Sequence, residues 1–75
     1  MNAQTVAELR RHLARGHDRD ALAVAFAAAN RAIGQARQGA RDLPPAERFA
    51  VAVQAAVEEL EALALAVAEP ASRQA

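Results

Sequence analysis

The sequence predicts an all-α fold: a long antiparallel helical hairpin preceded by a short N-terminal helix. Three observations predict it. Alanine supplies 23 of the 75 residues while Trp and Tyr are absent, a composition that favours helix and starves strands. Two apolar traces, Leu22, Phe26, Ala29, Ile33, Ala36, Ala40 and Phe49, Val53, Ala56, Leu60, Leu63, Val67, both step 4, 3, 4, 3, 4, the spacing of a coiled-coil a/d seam. A glycine and two prolines lie between the traces, so the chain folds back there.

The first helix is expected over about 5–15. Thr5-Val6-Ala7-Glu8 has capping-box spacing, Val6, Leu9 and Leu13 share a face, and Gly16 stands where a helix stop belongs. A helix of about ten residues does not hold alone in water, so it must dock. The second helix is expected over about 20–38, with Asp18 or Asp20 as its cap and Gly39 as its stop. Gly34 inside it costs roughly 1 kcal/mol relative to alanine, which suggests a place where another backbone comes close. Two consecutive prolines keep Leu43 and Pro44 out of the α region. Pro45 then suits the first turn of a third helix, over about 45–69, ended by Pro70. Residues 70–75 read as a frayed polar tail. The whole chain, 1–75, is one small helical domain.

Folding back at the turn pairs the traces: Ala40 with Phe49, Ala36 with Val53, Ile33 with Ala56, Ala29 with Leu60, Phe26 with Leu63, Leu22 with Val67. Four of the six pairs set a large residue against an alanine, the alternation that lets facing layers interdigitate. Charge supports the same pairing. Residues 1–41 hold seven arginines against Glu8, Asp18 and Asp20, net +4. Residues 42–75 hold two arginines against six acids, net −4. Facing rims of opposite sign attract in an antiparallel hairpin.

A chain this short buries only about 60% of its unfolded surface, and small domains usually need a staple or a partner. There is no cysteine, so disulfides and thiolate metal sites are excluded. His12 and His17, with Asp18 and Asp20 nearby, supply fewer convergent ligands by local spacing than a metal site requires. Surface histidines are the expectation, with no metal and no cofactor. Self-association as a dimer or another protein as hetero-partner is then the expected source of further burial.

Motifs that carry chemistry are missing. Glu58, Glu59 and Glu61 sit on the outside of a helix without the pocket that acid–base work needs. No phosphate loop, nucleophile elbow or dinucleotide fingerprint occurs, so the chain is not expected to be an enzyme. The stretch Arg10–Arg19 is basic enough to touch phosphates, but two aspartates dilute it and no aromatic accompanies it. Nucleic acid is the least favoured partner. No run of about 18 apolar residues occurs and no apolar run of about 7–15 opens the chain, so a cytoplasmic product without membrane contact is expected. The residues left over by the seam are the candidate partner surface: Val6, Leu9 and Leu13 of the first helix, Arg10, Arg11 and Arg15 beside them, and the off-seam Val24, Val51, Val57 and Leu65.

One stretch carries a family resemblance. Arg37-Gln38-Gly39-Ala40, then Pro44-Pro45-Ala46-Glu47-Arg48-Phe49, follows the hairpin turn of the small YscE-like co-chaperones of type III secretion needle subunits: a basic residue, glycine, small residues, proline, an acidic or amide residue, an aromatic. Ala55-Ala56-Val57-Glu58-Glu59-Leu60 is similar to the helix that follows in that group. The turn here is longer, with a double proline, and the apolar residues are smaller. The resemblance implies no catalysis and a heterodimer with a tetratricopeptide-like chaperone that keeps a needle subunit from polymerising. The expected function is therefore non-enzymatic protein binding, as a co-chaperone or adaptor of a type III secretion-like system. Two alternatives stand beside it: a small phage or mobile-element inhibitor that blocks a larger host complex, and a nucleic-acid-associated protein using Arg10–Arg19.

Overall fold

The computed structural model describes residues 2–69. It is all-α: α1 (Ala3–Ala14), α2 (Asp18–Gly39) and α3 (Pro45–Ala68). Helices α2 and α3 form the hairpin, and α1 packs mainly on α2 with a lighter contact on α3.

The helix ends follow local chemistry, with three corrections. Helix α1 is capped by Asn2, three residues before the Thr5 cap that the capping box implies: its Oδ1 accepts from the Gln4 N–H at 2.7 Å. Gly39 is the last residue of α2 rather than its stop, and Ala40 holds the cap position. Thr5 is buried inside the helix rather than capping it. Gly16 stops α1 as expected. It adopts φ +75°, a left-handed conformation that costs other residues a Cβ clash. The Gly16 N–H donates to Leu13 O at 3.1 Å and the His17 N–H donates to His12 O at 2.9 Å, the bond pair of a Schellman stop. Neither Asp18 nor Asp20 caps α2. His17 holds the cap position without a side-chain bond, and both aspartates lie in the first turn, where their charge suits the helix dipole. Pro44 is extended (φ −57°, ψ 154°) and Pro45 opens α3, as proline's missing donor and fixed φ favour. Glu69 is extended after α3 ends, the conformation preferred before a proline. Pro70 and the 70–75 tail lie outside the described residues.

The core sits at the open end of the hairpin, away from the turn. Val6 and Leu9 of α1, Ala21 and Ala28 of α2 and Leu63 of α3 form it, with Val24, Ala25, Ala66 and Val67 packed against it. Leu63 is 2% exposed. The Arg10 guanidinium reaches across α1 and donates from Nη2 to Ala66 O at 2.7 Å, tying α1 to α3.

The paired seam is only half realised. Ala29, Ala40 and Leu63 are buried, but Leu22, Phe26, Phe49 and Val53 are exposed. Two causes act together. A straight α-helix drifts about 20° per heptad from a 3.5-residue stripe, so over helices of 22 and 24 residues the stripe leaves the contact line. Helix α1 also draws that line toward Ala21, Ala28 and Leu63, because its Val6 and Leu9 must be buried there. The helices thus approach through alanines, and the larger residues of the trace are displaced to one side. Gly34 is corrected as well: no atom lies within 4 Å of a Cβ placed there, so it is not a close-packing position. Among the described residues no arginine of α2 is within ion-pair distance of a glutamate of α3.

Candidate partner-binding groove

The displaced trace builds a groove at the closed end of the hairpin. Ile33 and Arg37 from α2, Arg41 from the turn, and Arg48, Phe49 and Val53 from α3 line it. Local sequence explains each position. Ile33 and Arg37 are one turn apart on α2, as Phe49 and Val53 are on α3, so each pair shares a face. Pro44 and Pro45 set the entry of α3 and bring Arg48 and Phe49 opposite the end of α2. Phe49 is 72% exposed and Val53 44%, so the apolar floor is open to solvent. Toward the open end the α2 stripe continues through Phe26 and Leu22, 57% and 55% exposed, at spacings of seven and four residues from Ile33 and from each other. The half-buried Leu60 continues the α3 stripe seven residues beyond Val53.

Such a groove combines an apolar floor with a guanidinium rim. Arginine presents a planar fork of donors suited to carboxylates and stacks its flat face on apolar surface. The surface therefore matches a segment with apolar residues on one side and acidic residues flanking them. It offers no acid–base pair in contact: the titratable side chains lining the groove are arginines.

The residues singled out from sequence are dispersed. Val6 and Leu9 are buried in the core and are not on the surface of the folded chain. Val24 is half-buried against that core, and Arg10 is engaged with Ala66. Leu13, Arg11 and Arg15 are exposed around the end of α1. Val51, Val57 and Leu65 are exposed; at 100° per residue they spread over an arc of about 120° on α3, separated along it by six and eight residues, and none of them lines the groove. The groove residues Phe49, Val53, Arg37, Arg41 and Arg48 were not among those candidates. A signal for them exists in the sequence: a 3.5-residue trace drifts about 20° per heptad from the contact line of a straight α-helix, so part of its length spills.

No protein-family model, curated protein or solved structure matches this chain. Among the described residues no helix is long and apolar enough to cross a membrane.

Proposed function

We propose that this protein is a non-enzymatic protein-binding module, and that the closed-end groove is the surface it lays against a helical partner. The single observation behind this reading is a groove lined by the half-buried Ile33, the exposed Phe49 and Val53 and three arginines. Helix-in-groove recognition uses such anchors at i, i+4 and i+7 spacing.

The secretion co-chaperone reading is the more specific form. The stretch that carries the YscE-like turn resemblance, Arg37 to Phe49, supplies part of the groove lining: Arg37, Gln38, Arg41, Pro45, Arg48 and Phe49. On this reading the occupant is a helical-repeat chaperone in the cytoplasm. The inhibitor reading uses the same groove on a different host protein.

A photo-crosslinking residue at Phe49, compared with one at the exposed Ala23, tests the proposal in the native host. A discrete adduct at position 49, lost in Arg37→Glu/Arg41→Glu and absent from position 23, is expected. Equal crosslinking at both positions would remove the groove from the account. The identity of the adduct separates the secretion reading from the inhibitor reading.

A further inference from the structure

The Schellman stop of α1 brings together three side chains that sequence spacing alone leaves apart. The His17 N–H donates to His12 O at 2.9 Å, so the chain doubles back and stands the two histidines side by side, their ring centroids 6.5 Å apart. Asp20 follows one turn into α2, with its Oδ2 3.9 Å from His17 Nδ1. One ligand atom from each of His12, His17 and Asp20 lies within 4.8 Å of the other two. The backbone beneath them is set by two helix ends and a left-handed glycine, so the three lie near one another before any ligand arrives.

A second observation points the same way. His12 Nδ1 is shielded from solvent and has no hydrogen-bond partner. A buried imidazole nitrogen without a partner is costly, and an occupant that accepts a lone pair would remove that cost. We propose that His12, His17 and Asp20 form a zinc-class metal site that clamps α1 to the start of α2.

The donor set favours this class of ion. Imidazole nitrogen suits zinc, copper, nickel and cobalt, whereas calcium and magnesium seek oxygen cages. Tetrahedral zinc with bonds of about 2.0–2.1 Å sets its ligands roughly 3.3 Å apart, so closing the triad requires shifts on the order of 1 Å. His17 and Asp20 have side chains 54% and 65% exposed and can move that far. Three protein ligands leave a fourth position for water. The site would act as the staple that a small cysteine-free chain otherwise lacks, and it stands apart from the groove, so each can fail without the other.

Titration of the untagged full chain with zinc chloride, read by calorimetry and by thermal melting, tests the site. Expected are one zinc per chain and a melting midpoint raised by about 10 °C at zinc near 100 times Kd. His17→Ala and Asp20→Asn should each weaken binding at least about tenfold, as loss of even an outer-shell partner does. Both positions are exposed, and helicity without metal verifies that the variants fold. Acid should release the metal, because protons compete for the same nitrogens. Absence of one-to-one binding, affinity unchanged in both variants, or zinc held only between two chains would each overturn the proposal.

Discussion

At the open end of the hairpin three helices meet and Leu63 is 2% exposed; at the closed end two helices meet and Phe49 is 72% exposed. Both ends are built from alanine-rich helix with large apolar residues at regular steps. The difference is α1. Two helices bury one line of contact each, and side chains beside that line stay wet unless a third element covers them. At the open end Val6 and Leu9 cover one side of the hairpin. At the closed end Phe49 and Val53 stay exposed and Ile33 half-buried, and arginines line the same groove. Burial of a large side chain here is set by which neighbours arrive, more than by its own hydrophobicity.

Substitutions that break the comparison fall in order of size. Leu9→Ala removes the α1 anchor and should cost about 2–5 kcal/mol. For a domain of this size that is most of the available stability, and urea denaturation followed by far-UV circular dichroism should show α1 and the core lost together. Ala29→Leu overfills the alanine contact between α2 and α3 and should cost about 1–3 kcal/mol; an unshifted melting curve would mean that the two helices do not approach through Ala29. Gly34→Ala has the opposite sign. With open space around it, an alanine should stabilise by about 0.5–1 kcal/mol, read as a raised melting temperature.

The fold was legible in the sequence where local chemistry decides: composition for helix, Gly16 for the first stop, Pro45 for the third start, the double proline for the turn. The contact face of α2 was not. Alanine occurs nearly all round that helix, so its buried alanines cannot be told from its exposed ones, and the eye follows Leu22, Phe26 and Ile33. Close packing instead chose the small residues Ala21, Ala28 and Ala29, because they allow the shortest approach and leave room for α1. The groove residues were passed over for the same reason, since residues assigned to a seam were not available to be assigned to a groove. His12, His17 and Asp20 were visible as neighbours in the sequence, but their convergence was not, for another reason. An i, i+5 pair diverges on a continuous helix, and only the left-handed turn at Gly16 makes it converge.

Leu63 is buried where α1 closes over the hairpin, and Phe49 is exposed where only α2 and α3 meet; paired urea denaturation of Leu63→Ala and Phe49→Ala reads out that division. Expected are a loss of about 2–5 kcal/mol for Leu63→Ala and a change within about 0.5 kcal/mol for Phe49→Ala, the size expected at a surface position. Equal losses in the two variants would contradict it, because Phe49 would then be core and the closed end would hold no groove.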